Sequence, residues 1–336
     1  MSVPEVITLA DGAGGKASRR LVEDLFLEEL RNPLLEPLDD AAIVGANGTR
    51  IAVTTDSYVV RPLRFPGGDI GQLAVNGTIN DLAVSGAVPL ALTAGFVVEE
   101  GFPRYELREL VASMAAAARA AGIAVAAGDT KVVERGAADG LFVTTAGVGL
   151  LDLRAVLGLD RVRAGDRLLV SGGIAEHGVA IMLARGNLEL ELAVASDTAP
   201  LDGLTATLCS LGPELRWMRD PTRGGLATTL NELAAGTGLS VVFDEQAVPV
   251  REDVRAACEL LGIDPLTVAN EGKLVAVVSS QAADEALALL RAHPLGSAAA
   301  LVGELREDSE PLVLARTPFG TRLVEMLVGD PLPRIC

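Results

Sequence analysis

The apolar segments of this chain come in two spacings, and that constrains its fold more than any other feature. Some strand-like runs stand next to one another, while others are separated by helix-length amphipathic stretches. A doubly wound parallel sheet needs a helix between successive strands, so the mixed spacing points to α+β domains. Strands are expected at 41–46, 50–56, 123–127 and 141–148. Helices are expected at 70–85 and at 105–121, the second begun after Pro103 and stopped by Gly122. Upstream, residues 16–31 place Leu21, Val22, Leu25, Phe26 and Leu30 on one helical stripe. A junction at 158–167 leads into a second set, with strands at 168–171, 239–243 and 274–279. Its helices are expected at 179–185, 201–211, 225–235, 252–261 and 282–291. The expected layout is an N-terminal segment 1–38, domains at 39–157 and 158–315, and a mobile tail 316–336.

Composition narrows the function classes. Of 336 residues 49% are apolar but only 3% aromatic, so Ala, Val and Leu must build the cores. A net charge of −17 argues against nucleic acid, whose phosphates call for an excess of Lys and Arg. No apolar run approaches the ~20 residues of a membrane span, and Met1–Glu5 lacks the pattern of a signal peptide. Three cysteines without a C-x-x-C point to a reducing, cytoplasmic setting. Cys209 and Cys258 sit in apolar helical stretches and read as buried and inert. With only His177 and His293 available, an imidazole metal site and a Ser-His-Asp triad have little to stand on. His177, opening a helix after Gly172-Gly173, reads as structural.

Carboxylates recur at turns. Asp39-Asp40, Thr54-Thr55-Asp56, Asn80-Asp81, Gly128-Asp129-Thr130-Lys131 and Asp220-Pro221-Thr222-Arg223-Gly224-Gly225 each end a small or apolar run in an acidic turn. Singly, each is an ordinary turn former or helix cap. Five of them gathered together would repel unless divalent cations held them, and hard cations such as Mg²⁺ choose carboxylates and phosphates. A Mg-nucleotide site is the chemistry this suggests. Gly12-Ala13-Gly14-Gly15-Lys16 precedes a helix, where free amides can cradle an anion, although its spacing is not that of a P-loop. Lys131 and Asp129 leave the same face if their strand continues. Taken alone, Lys131 reads as a surface ion pair and Glu271, in Ala269-Asn270-Glu271-Gly272-Lys273, as a solvated turn. The chain ends at Cys336, a thiol on a tail that could span roughly 23 Å beyond Gly329. Pro331 and Pro333 should keep that tail extended and semi-rigid.

Assembled, these residues resemble the HypE family, the carbamoyl dehydratases of [NiFe]-hydrogenase maturation, within the aminoimidazole ribonucleotide synthetase-like superfamily. The resemblance runs nearly end to end. It is carried by DGAGGKASRRL, TTDSYVV, FPGGDIGQLAVNGTINDLAVSGA, GDTKVVERG, RDPTRGGL, ANEGKLVAVV and the closing PRIC. Asp11 departs from the His usual in the family. The resemblance implies two α+β domains, with the first domain binding ATP and pairing its sheet with a second subunit's in a barrel-like homodimer. It implies that a partner, HypF, carbamoylates Cys336. ATP-dependent dehydration then gives a thiocyanate, whose cyanide passes to iron on HypC–HypD. The nucleotide set it implies is Asp40, Asp56, Asn80, Asp81, Asp129, Thr130, Asp220, Thr222, Arg223 and Gly224. Asp56, Asp81, Asp129 and Asp220 would hold Mg²⁺, with Asp40 a weaker member. Lys131 and Glu271 would serve as base or oxyanion stabiliser. Two competing readings are a small-molecule ATP-dependent kinase or synthetase of the same superfamily, and a nucleotide-gated scaffold whose thiol only docks a partner.

Overall fold

The computed structural model describes residues 6–12, 14–186, 193–329, 332 and 334–336. Met1–Glu5, Ala13, Pro331 and Pro333, on which some expectations rest, lie outside the described residues. The N-terminal segment is a helix in three pieces: α1 (Gly15–Leu21), a π-turn (Val22–Phe26) and α2 (Leu27–Leu30). Its apolar stripe does not enter a core of this chain, for Leu25, Phe26 and Leu30 are exposed.

The first domain is a mixed sheet with helices on one face. Strands β1 (Ala42–Ala46) and β2 (Thr49–Tyr58) form a hairpin, followed by the small hairpin β3 (Arg64–Phe65) and β4 (Gly68–Asp69). Next come α3 (Ile70–Val84), β5 (Ala87–Glu99), α4 (Arg104–Ala120), β6 (Ala124–Val133) and β7 (Leu141–Leu151). The sheet order is β1-β2-β7-β5-β6, with β5 and β6 parallel and joined through α4. Asp69 starts α3 by accepting hydrogen bonds from the amides of Gly71 (2.8 Å) and Gln72 (3.1 Å), a regular N-cap. Nearly all of α3 is buried, because it lies between the two domains. β5, absent from the sequence expectation, is the longest strand. Its Pro89 lies outside the stretch paired with β6 and beside a register irregularity against β7, where a missing donor is tolerated.

The second domain holds β8 (Arg167–Val170), α5 (Glu176–Ala184), α6 (Asp202–Cys209), β9 (Leu215–Arg219), α7 (Gly225–Thr237), β10 (Ser240–Asp244), α8 (Glu252–Leu261), β11 (Val275–Val278) and α9 (Ala283–Ala292). Three more strands complete it: β12 (Ala300–Arg306), β13 (Val313–Thr317) and β14 (Gly320–Leu323). They form one sheet ordered β14-β13-β10-β12-β8-β11-β9. The expected boundary at 315 therefore cuts through β13, and the segment that leaves the sheet starts after Leu323. That segment packs back on the body. Leu332 and Ile335, each 2% exposed, join a core cluster built from both domains, including Tyr58, Ile70, Val143, Ala175 and Val268. Among the described residues no helix is long and apolar enough to cross a membrane.

Candidate active site

Three carboxylates meet where the domains face each other. Asp81 comes from the last turn of α3, Asp40 from the approach to β1, and Asp220 from the turn after β9. Each offers an oxygen within 4.8 Å of the others. Thr54 Oγ1 donates to Asp81 at 2.8 Å, and the Tyr58 hydroxyl points at Asp56 at 3.3 Å. Arg219 pairs with Asp40 at 2.9 Å and with Glu232 at 3.1 Å, so one cation offsets part of the crowding. Asp220 is 6% exposed and its Oδ2 has no partner. Burial first, and then the neighbouring charge of Asp40, pushes the Asp220 carboxyl up to about 8. Burial and the charge of Asp56 hold Asp81 well above the usual carboxylate range, and burial raises Asp40. A set of hard oxygens that resist shedding their protons is what a divalent cation relieves, so the donors fit Mg²⁺.

Glu271 joins this region as a buried group, not as a solvated turn. It is 3% exposed, its Oε1 lacks a partner, and burial with the charge of Asp220 lifts its pKa well above the ordinary value. The backbone that presents it is fixed from two sides. Asp197 accepts from the amides of Glu271 (3.1 Å) and Gly272 (3.2 Å) and pairs with Lys273 Nζ (3.0 Å). A Cβ at Gly272 would overlap the Asp197 carbonyl, which explains a glycine there. Asn80, expected among the nucleotide contacts, is fully buried and occupied. Its Nδ2 donates to the carbonyls of Ala199 (3.1 Å) and Glu271 (3.0 Å), and its Oδ1 accepts from Leu201 N (2.8 Å). Asn80 thus braces the Glu271 turn against α3.

The chain end reaches the same place. Cys336 O accepts from Val59 N at 3.0 Å and Arg334 O from Arg61 N at 3.2 Å, so the tail runs beside the end of β2. Arg334 Nε donates to Val59 O (3.0 Å), its Nη1 pairs with Asp139 (2.6 Å), and Arg185 Nη2 donates to Arg334 O (2.9 Å). Arg223, in the turn before α7, has its pKa raised chiefly by the negative charge of Cys336, with Asp56 and Glu271 adding to it. Gly224 caps α7 in the left-handed region at φ 76°, where a side chain would be strained and would also strike Thr228. Thr222 is part of this turn through its amide, which donates to Asp220 O at 3.0 Å.

The chain belongs to the carbamoyl dehydratase HypE family. Models of the AIR synthase related protein match its two domains, the N-terminal one over residues 38–151 and the C-terminal one over 163–313. The carbamoyl dehydratase HypE of Azotobacter vinelandii is 51% identical over 331 residues, covering 98% of this chain and 97% of that protein. A crystal structure of a HypE–HypF complex superposes with a TM-score of 0.87 at 44% identity, covering 91% of this chain and 99% of that one. A structure of HypE in complex with ATP gives 0.82 at 45% identity, covering 98% and 100%. The HypE motifs quoted from the sequence fall on the carboxylate cluster, the Glu271 turn and the docked terminus, with one exception.

That exception is GDTKVVERG. Asp129, Thr130 and Lys131 lie on β6, the edge strand of the first sheet, and are exposed. Asp129 and Lys131 do share a face, as expected, and pair with each other at 2.5 Å with side chains 71% and 68% exposed. The hydrogen bond from Lys131 is the main reason that the Asp129 pKa is lowered. Asp40 stands in the three-carboxylate group and Asp129 does not. The Gly-rich stretch is also placed differently from its expectation. The amides of Lys16 and Ala17 donate to Leu327 O (2.8 Å) and Val328 O (2.9 Å) and so clasp the tail, while Gly14 N donates to Ser18 Oγ within the same segment. Asp11 caps Thr8 through its amide and hydroxyl. Asp197 and Arg219 escaped the sequence reading, being single residues whose partners are remote in the chain, and His177 reads there only as structural.

Proposed function

We propose that the protein carries a carbamoyl group on Cys336 and uses ATP to dehydrate it, within the HypE family to which it belongs. One observation carries this reading: the C-terminal cysteine is docked at the end of β2, its carbonyl accepting from Val59 N, where its charge and those of Asp56 and Glu271 act together on Arg223. A relative solved with ATP and another solved with HypF support the nucleotide and the carbamoyl donor partner. The carbamoyl oxygen leaves poorly as hydroxide, so it first attacks the γ-phosphorus of ATP, giving ADP and an O-phosphorylated thiocarbonimidate, S–C(=NH)–O–phosphate, as one N–H proton departs. Loss of the second N–H proton then expels inorganic phosphate and forms the S–C≡N group. Overall, ATP and the thiocarbamate become ADP, phosphate and the thiocyanate. Glu271, buried and with its pKa raised by burial and the charge of Asp220, is a stronger base than a solvated carboxylate and is suited to accept such a proton.

Asp40, Asp81 and Asp220, with Asp56 beside them, would hold Mg²⁺, which neutralises phosphate charge during transfer. Arg223 and the start of α7 complement the same anion. A thiol carrier suits a reducing cytoplasm, and delivery to an iron scaffold such as HypC–HypD follows from the product. The reading includes a homodimer. Val53, Val88, Leu90, Val125, Val148 and Leu150 leave an apolar face exposed on the first sheet, and β6 is an open edge carrying Asp129, Thr130 and Lys131. A second copy's sheet against that face would cover it and complete the site with this edge strand. Sedimentation should give a dimer, and Val88→Glu should give monomer; a monomeric parent chain would remove Lys131 from the site. Calorimetry tests the cluster. Asp81→Asn should weaken Mg-dependent ATP binding about tenfold, as expected for a lost charge on the ion. Unchanged affinity and Mg²⁺ dependence would refute the assignment.

A further inference from the structure

We propose that His177 is a positioning residue for the carrier terminus: its imidazole seats the Ile335 carbonyl and so registers the group on Cys336 against Glu271. The inference deepens the carrier reading and rests on it. His177 Nε2 lies 2.8 Å from Ile335 O and Nδ1 lies 2.7 Å from Ser196 Oγ. A carbonyl can only accept, so Nε2 carries the hydrogen. In the neutral ring Nδ1 then accepts, and the Ser196 hydroxyl donates to it. Ser196 Oγ in turn accepts from Thr198 N at 3.1 Å, which uses its other face. Burial lowers the His177 pKa and keeps the ring neutral, with Asp197 the nearby charge opposing that trend. The ring stands edge-on to Phe65, 5.5 Å between centroids, which fixes its plane.

What makes this more than a satisfied core histidine is the element behind it. Ser196 orients His177, and the next residue, Asp197, holds the amides of Glu271 and Gly272. Ser196 N is itself tied to Pro66 O at 2.7 Å. The start of α5 is stitched to the Glu271 turn as well, through Ala175 N to Asn270 Oδ1 (2.8 Å) and Gly178 N to Ala269 O (3.1 Å). Two adjacent loop residues thus set the thiol-bearing residue and Glu271 in one frame. The contact is made to the residue before Cys336, so it can be released when the terminus leaves, with no change at the thiol.

The test uses the full-length chain and three variants. His177→Phe keeps a ring against Phe65 and removes both hydrogen bonds; His177→Gln restores an Nε2 donor; Ser196→Ala removes the hydroxyl that orients the ring. Two quantities are measured: iodoacetamide alkylation of Cys336 followed by mass spectrometry, and the dehydration rate of pre-carbamoylated protein. His177→Phe should raise Cys336 alkylation and slow dehydration, each about tenfold, the scale of one buried hydrogen bond. Transfer of the carbamoyl group by HypF should be unaffected. His177→Gln should recover most of the loss, and Ser196→Ala should fall between. Should His177→Phe not fold, the Gln and Ala variants decide between the same outcomes. Parent-like alkylation and dehydration in His177→Phe and Ser196→Ala, or a Gln variant no better than Phe, overturns the proposal. The alkylation arm needs no carbamoyl chemistry. A parent chain that protects Cys336 yet never dehydrates it would therefore overturn the carrier reading alone.

Discussion

Two acidic patches of this chain have the same local sequence signature and opposite surroundings. Asp220 is buried and Asp81 half-buried, both crowded by other carboxylates and raised in pKa, whereas Asp129 stands on an open edge strand with a lowered pKa and a lysine beside it. The first patch is assembled within one chain by α3, the approach to β1 and the turn after β9. The second is bare unless another surface comes to it. Burial, and not the turn itself, separates a carboxylate poised for an ion or proton from one that is solvated.

The largest expected effect lies at the buried patch. Glu271→Gln, in pre-carbamoylated protein, should slow dehydration by about 10²–10⁴-fold while ATP binding stays within about twofold; normal conversion by mass spectrometry would return Glu271 to a structural role. Lys131→Ala sharpens the contrast, because its side chain is exposed in the single chain. Its melting temperature should be unchanged, yet dehydration should slow at least about tenfold if the edge strand completes a second copy's site. Parent-like turnover would leave this patch as a surface ion pair.

The proton balance of the cluster supplies a third test. Burial and the charge of Asp40 push the Asp220 carboxyl up to about 8 in the folded chain, against the ordinary 3.8 of a solvated aspartate in the unfolded one. Between those values the folded chain keeps a proton that the unfolded chain releases, so the metal-free protein loses stability as pH rises through that window. Mg²⁺ replaces the proton. The gain in melting temperature on adding Mg²⁺ should therefore grow from pH 5 to pH 8, and Asp220→Asn should flatten that trend. A gain independent of pH in the parent chain would contradict the cluster's role. The smallest effects belong to Cys209→Ala and Cys258→Ala, which should cost roughly 1–2 kcal/mol at most. Both thiols are pushed to about 11 by burial and should not react.

Much of the fold was legible in local pattern. α3 carries a cap, a long apolar run and a stop, and the helix expected at 252–261 coincides with α8. β5 was not legible, because Ala87–Glu99 includes a proline and small residues whose fitness for a strand depends on where the neighbouring strands end. β13 and β14 did leave a signal, the turn-like Thr317-Pro318-Phe319-Gly320 between two short apolar runs. The acidic turns were visible as a set, but which of them converge depends on contacts between α3 and the second domain. Asp197 had no local signature at all. Its link to Glu271 spans 74 residues, and only the folded chain reveals it. The docked tail was hidden for an energetic reason. Burying Leu332 and Ile335 stabilises docking by about 1.5–3 kcal/mol each, while fixing each tail residue costs roughly 1–2 kcal/mol. Terms so closely matched suit a terminus that must both dock and leave.

The carrier role proposed for Cys336, as the thiol on which the carbamoyl group is dehydrated, is open to a direct test. Intact mass of the protein after incubation with HypF, carbamoyl phosphate and ATP tests it most directly. One carbamoyl group should be added at Cys336, followed by loss of one water. A label on Cys209 or Cys258, or full turnover by a chain ending at Ile335, would contradict it.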